Sequence, residues 1–203
     1  MVEIQLVVLT IADGRLRLLA GPRGLPSREP EKNESLDATA ARLLREEVTA
    51  DHLYLEQLYT FTFRGGRIVV GYLALVRNAR IKHPDRKWHR AQPLPLLGSG
   101  HREVASYGVK RLRNKITYTN LAFAFLPDRF ALSELQGVYE AVLDRGVDKR
   151  NFRKRILSLH ILAPDGDVRR AQGRGGRPAR LFRFTGPREV AFWPSFSPST
   201  ENK

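Results

Sequence analysis

Between Ser133 and Phe184 the chain carries two short amphipathic helical patterns, the second strongly basic, and then a hairpin rich in Gly, Arg and Pro. Few folds accommodate that order. The first pattern runs from Leu132 to Arg145: Ser133 is the predicted N-cap with Gln136 as its capping-box partner, and Leu135, Val138, Tyr139 and Val142 recur on one face. Arg145-Gly146-Val147-Asp148 then offers a Gly suited to a left-handed C-cap and an Asp suited to the next N-cap, the spacing of a helix-turn-helix.

The second helix is predicted from Lys149 to about Leu159. Phe152, Ile156 and Leu159 share one face, and Lys149, Arg150, Asn151, Arg153, Lys154 and Arg155 supply the other sides. Such a helix has the donors for phosphate oxygens and for purine edges in a major groove. A merely solvated basic face is the plain alternative. After this helix come Ile161-Leu162, a predicted turn at Pro164 to Asp167, a basic run, a Gly173 to Pro178 segment that cannot pack a core, and strand-like Leu181 to Phe184. That is the pattern of a wing, with Arg169, Arg170, Arg174, Arg177 and Arg180 able to reach a phosphate backbone or a narrow minor groove. A disordered basic linker is the competing reading. Ser133, at the start of the preceding helix, completes the candidate DNA contacts.

Charge placement agrees. Residues 101–203 hold 20 Lys/Arg against 10 Asp/Glu, whereas residues 1–100 hold 15 against 11, so the positive field is concentrated behind the midpoint. From Lys149 to Arg188 there are 12 basic and 2 acidic residues. A polyanion partner is the natural inference, with an anionic membrane surface disfavoured because no exposed apolar face accompanies the charge. The chain of 203 residues contains no Cys, which excludes disulfides, thiol catalysis and Cys-based zinc sites. No apolar run reaches the roughly 20 residues of a membrane span, and Met1-Val2-Glu3-Ile4-Gln5 lacks a signal-peptide opening, so a cytoplasmic protein without membrane contact is expected.

The first half reads β, β, α, β, β. Glu3 to Thr10 is a buried strand, Asp13-Gly14 a hairpin turn and Arg15 to Ala20 a second strand. A Gly/Pro/charge loop, Gly21 to Asn33, precedes a helix at Leu36 to Val48 capped by Asn33 or Ser35. Leu53 to Phe63 and Arg67 to Val76 form a long hairpin about Gly65-Gly66. Asn78 to Ser99 holds a last strand and the start of a connection, His101 to Tyr118 a connecting helix, and Thr119 to Phe130 a short segment buried against the helix-turn-helix. The fold class is α+β with a mixed sheet. The expected domains are 1–100, a connecting helix at 101–120, a winged helix at 121–190 and a tail at 191–203, with Phe192-Trp193-Pro194 folding back. The histidines (His52, His83, His89, His101, His160) show no paired metal spacing, and His160 is expected to pack beside core residues.

Particular residues resemble one family. His101-Arg102-Glu103, Arg111 to Ile116, Tyr118-Thr119, Leu132 to Gln136, Val138 to Ala141, Asp148 to Arg153 and Gly176 to Leu181 are similar to the C-terminal half of the NrtR family, Nudix-related bacterial transcriptional regulators. The likeness covers about Leu94 to Phe184 and continues at Tyr54 to Phe61, where the family has a strand after its Nudix helix. It implies an N-terminal Nudix-like α/β/α sandwich that senses a metabolite and a C-terminal winged helix that binds a double-stranded operator. Members typically act as homodimers that repress genes of NAD or sugar metabolism and release DNA on binding ADP-ribose or a related ligand.

One departure from that family matters. A catalytic Nudix helix needs a Gly-opened loop and several Glu on one helix face, because those carboxylates hold the Mg²⁺ ions that bridge a diphosphate and activate water. Aligning Glu34 and Arg42 with the motif puts Arg28 where the loop Gly belongs, Leu43 where a Glu belongs and Thr49 where the final Gly belongs. Glu34, Arg42, Glu46 and Glu47 match. The loop keeps only Leu25-Pro26 of its usual pattern. Little or no hydrolase activity, no metal and no cofactor are therefore expected, and Glu46 and Glu47 read as helix-surface or capping residues, with effector contact as their alternative role. Arg64, Arg67 and Trp88 are further candidates for the effector pocket, Trp88 as a stacking surface for a nucleobase. The competing functions are a Mg²⁺-dependent Nudix diphosphatase with an appended nucleic-acid module, and an RNA-binding protein, though no aromatic stacking platform is evident.

Overall fold

The computed structural model describes residues 2–169 and 179–186. The chain divides into two compact units, Met1–Arg113 and Asn114–Lys203.

In the first unit, β1 (Val2–Ala12) and β2 (Arg15–Ala20) form a hairpin. Its turn needs two positive φ values, met by Asp13 at 52° and Gly14 at 65°. The short β3 (Ser27–Arg28) pairs with β1, and α1 (Leu36–Glu47) comes next, its N-cap Ser35 accepting a hydrogen bond from Ala38 N at 3.2 Å. Ser35, and not Asn33, is thus the cap. The chain continues through β4 (Val48–Thr49), β5 (His52–Phe63), a 3-10 turn at Arg64–Gly66, β6 (Arg67–Arg77), β7 (Arg80–Ile81), β8 (Lys87–Arg90) and α2 (Ser99–Lys115). The main sheet has the order β5-β6-β1-β2-β8, with β3 beside β1; β1 and β6 run parallel and the other pairs antiparallel. It is the mixed sheet that the pattern predicts.

β1 is buried on both faces because both are covered. Ile4, Leu6 and Val8 pack with Ala40, Leu43 and Leu44 of α1 and with Val70, Tyr72 and Ala74 of β6. Each fully buried Leu there contributes about 1.5–3 kcal/mol. On the other face Val7 meets α2 at Gly108, where an added Cβ would lie 2.8 Å from Val7 Cγ1, so only glycine lets the helix approach so closely. Tyr107 of α2 stacks on Tyr59 at 5.3 Å and meets Phe61 edge-on at 5.6 Å. Helix, sheet and helix make the α/β/α sandwich.

The second unit opens with a 3-10 helix at Asn120–Phe125, then β9 (Phe130–Ala131), α3 (Leu132–Leu143), α4 (Lys149–Ser158), β10 (Leu162–Arg169) and β11 (Ala179–Phe184), with β10-β11-β9 as a three-stranded sheet. Tyr139 of α3 meets Phe152 of α4 edge-on at 5.2 Å, and Phe123 stacks on Phe184 at 4.1 Å. Two helices on a small sheet with a β10–β11 hairpin is a winged helix.

Several local expectations are corrected. β9 pairs with β11 and runs straight into α3, so the helix begins at Leu132 and Ser133 is its second residue. The cap is at Ala131, whose N–H donates to Glu134 Oε2 at 2.7 Å. Gln136 instead donates to Glu140 Oε1 and to Val147 O, at 2.9 and 3.0 Å, holding the turn to the helix. The left-handed C-cap is Asp144 (φ 55°), not Gly146, because a short Asp side chain tolerates that conformation. Pro164 to Asp167 is no free turn: it lies inside β10 as an irregularity between Pro164 and Val168, with Gly166 at φ 81°. His160 is exposed at φ 53° and closes α4 without packing in the core.

Candidate DNA interface and Nudix-like carboxylate cluster

α4 is fixed from its start. Asp148 Oδ1 accepts from Asn151 N at 2.7 Å, as an N-cap should, and Phe152 and Ile156 are buried one turn apart. Lys149, Arg150, Asn151, Arg153, Lys154 and Arg155 are all exposed. Sequence periodicity alone located this face, since burying two apolar residues four apart leaves the cations no other direction. Ser133, at the first turn of α3, is also exposed.

β10 and β11 form the hairpin, with Arg169 opposite Ala179 as its outermost described pair. Arg180 is exposed, its guanidinium 6.0 Å from the Phe182 ring centre. Arg170, Arg174 and Arg177 lie outside the described residues, as does the Phe192-Trp193-Pro194 tail. A feature that the sequence pattern does not announce sits at the base of the hairpin. The Asp165 carboxylate receives hydrogen bonds from both Arg129 and Arg183. Burial alone would raise its pKa, but the two guanidinium groups outweigh this and hold it below the usual carboxylate range. The bulge thus delivers an acid to two arginines 36 and 18 residues away in sequence, beyond the reach of any local pattern.

In the first unit the Nudix-like carboxylates are all engaged by arginines. Arg42 donates from Nε to Glu34 Oε1 at 2.9 Å and from Nη2 to Glu34 Oε2 at 2.7 Å, a two-pronged pair to which Thr39 Oγ1 adds a bond of 2.8 Å. Arg42 and the backbone N–H of Glu31 lower the Glu34 pKa to about 2, against the effect of burial. Glu46 is held between Arg42 Nη1 at 3.3 Å and Arg28 Nη2 at 2.9 Å. Glu47 is 3% exposed, so it is no surface residue: Arg86 meets it with Nε at 3.0 Å and Nη2 at 3.2 Å, and its Nη1 reaches Gly24 O at 3.0 Å. Among the described residues no group of three or more His, Cys, Asp or Glu is placed to share a metal ion. The motif comparison does not announce these guanidinium partners, because Arg28 and Arg86 come from β3 and from the turn before β8.

The remaining effector candidates do not share one wall. Arg64 is exposed at the β5–β6 turn, and Arg67 lies beside Phe63 and Gly100, on the α2 side of the sheet, 3.6 Å from Glu3. Trp88 is on β8 at the opposite end of the sheet and packs with the α1-side core.

Comparison with known proteins agrees with both units. A profile of the NrtR DNA-binding winged helix domain matches residues 122–184. The ADPR responsive transcriptional repressor NtrR of Acinetobacter baylyi is 29% identical over 207 residues, spanning 91% of this chain and 82% of that protein. The crystal structure of Shewanella oneidensis NrtR superposes with a TM-score of 0.77 at 28% identity, over 90% of this chain and 93% of that one. The chain is thus similar to NrtR over about nine-tenths of its length. The same Shewanella protein complexed with a 27mer DNA gives a TM-score of 0.76 at 27% identity over the same shares. A MutT/nudix family protein from Enterococcus faecalis, 19% identical with a TM-score of 0.60 over 90% of this chain, shares the fold. The architecture is therefore a Nudix-like sandwich followed by a winged helix.

Proposed function

We propose that this chain is a DNA-binding transcriptional repressor that acts as a homodimer in the cytoplasm, and that its Nudix-like unit senses ADP-ribose or a related nucleotide or sugar to control NAD-related or sugar metabolism. The observation that carries the reading is α4: a helix seated by Phe152 and Ile156 that exposes Lys149, Arg150, Asn151, Arg153, Lys154 and Arg155, followed by a β-hairpin. Arg150, Asn151 and Lys154 point away from the buried pair and would read base edges, while Lys149, Arg153, Arg155 and the hairpin arginines grip phosphates. Two such helices related by a dimer axis fit a pseudo-palindrome. The A. baylyi relative is named an ADPR-responsive repressor, and the S. oneidensis relative was crystallised with DNA. Arginine pairing of Glu34, Glu46 and Glu47 supports a sensor without hydrolase activity. No helix among the described residues is long and apolar enough to cross a membrane.

The test is fluorescence anisotropy of duplex DNA from the region upstream of the gene against a scrambled duplex, across a salt series. Selective binding supports the reading. Equal binding to both duplexes, falling steeply with salt, would reduce the surface to a general polyanion binder.

A further inference from the structure

The Nudix fold implies divalent ions held by helix carboxylates, and the residues here do not fit one. Mg²⁺ requires near-octahedral oxygen ligands at about 2.1 Å, several of them anionic or water. Both Glu46 oxygens face guanidinium nitrogens, at 2.9 and 3.3 Å, both Glu34 oxygens face Arg42, and both Glu47 oxygens face Arg86. A cation entering this cluster would have to displace an arginine and would be repelled by its neighbours.

We propose that Arg28 does the work of the missing ion: it is the cation that receives the diphosphate of the effector, so that effector binding is independent of divalent metal. This rests on the effector reading given above. Arg28 stands at the position of the motif's loop glycine. Its β3 pairing with Ile4 fixes its Cα at the sheet, and its guanidinium reaches Glu46, a carboxylate the motif uses for metal. Its side chain is 45% exposed, against 23% for Arg42 and 13% for Arg86, so of the three arginines it has the most surface left to offer a ligand. A guanidinium binds two phosphate oxygens in its plane while remaining paired with a carboxylate through another edge. Glu46 then positions Arg28 and does not touch the ligand.

Isothermal titration of the full-length protein with ADP-ribose, and separately with inorganic pyrophosphate, in EDTA and in Mg²⁺, tests this. The expected result is equal ADP-ribose affinity, within about twofold, in the two buffers. Arg28→Ala should weaken it at least tenfold, with partial recovery in Arg28→Lys, and thermal melts should stay within a few degrees. Affinity that needs Mg²⁺, or ADP-ribose binding in EDTA that Arg28→Ala leaves unchanged, overturns the inference while leaving the effector reading intact. Failure of the parent chain to bind either probe in either buffer overturns both.

Discussion

Glu47→Gln separates a structural carboxylate from a metal ligand. Glu47 and Arg86 have side chains only 5% and 13% exposed, so the pair sits where water screens little. Removing one charge leaves the Arg86 guanidinium buried without its counter-charge. Breaking a buried pair in that way costs about 3–5 kcal/mol, and because Gln still accepts one of the two hydrogen bonds the lower end, about 3 kcal/mol, is expected. The exposed pair Arg17–Asp13, with Asp13 at 85%, is the internal control, and Arg17→Ala should cost less than about 0.5 kcal/mol through the pair. With a urea m-value of about 1.5 kcal/mol/M, the Glu47→Gln midpoint falls by about 2 M, and the Arg17→Ala midpoint barely moves. Urea unfolding followed at Trp88 measures both. A Glu47→Gln midpoint within about 0.5 M of the parent would refute the reasoning, because Glu47 would then be no structural anchor.

Three further outcomes rest on named contacts. Arg150→Ala should weaken operator binding by about 1–3 kcal/mol and relax base preference, whereas an equal loss on scrambled DNA would make Arg150 a phosphate contact. The Glu34 carboxyl, at about 2, should titrate well below its ordinary value of 4.5 in a carbon-detected NMR pH series. Because the folded pKa is the lower one, the stability it contributes is complete above the unfolded value and is lost as pH falls through the folded one; Arg42→Ala should return the midpoint toward the ordinary range. Gly108→Ala places a methyl 2.8 Å from Val7 Cγ1 and should cost about 1–3 kcal/mol in chemical denaturation, and an unchanged midpoint would mean that α2 does not pack this closely.

Legibility in the sequence tracks the reach of each signal. Period-two alternation and the Asp13-Gly14 turn exposed the first hairpin, and the i, i+4 pair Phe152 and Ile156 exposed the outward face of α4, because each is decided within a few residues. The Asp148 cap was legible for the same reason. The start of α3 was not, since the two-residue β9 that sets it is defined by pairing with β11 some 50 residues later. The Nudix-like carboxylates were partly legible: the motif located Glu34, Glu46 and Glu47, but the arginines at 28 and 86 acquire meaning only when β3 and the turn before β8 are folded against α1. The same holds for Asp165, read locally as a turn residue and found between Arg129 and Arg183.

A repressor of the proposed kind couples an operator to a nucleotide effector within one chain. The most direct measurement is the operator affinity of the full-length protein with and without saturating ADP-ribose, paired with ADP-ribose affinity with and without saturating operator. Linkage requires the two ratios to be equal, and a coupling of typical size weakens each about 5- to 150-fold. Equal reductions in that range are the predicted result. Site-selective DNA binding in which both ratios are one would contradict the account, leaving a DNA-binding protein that does not sense this effector.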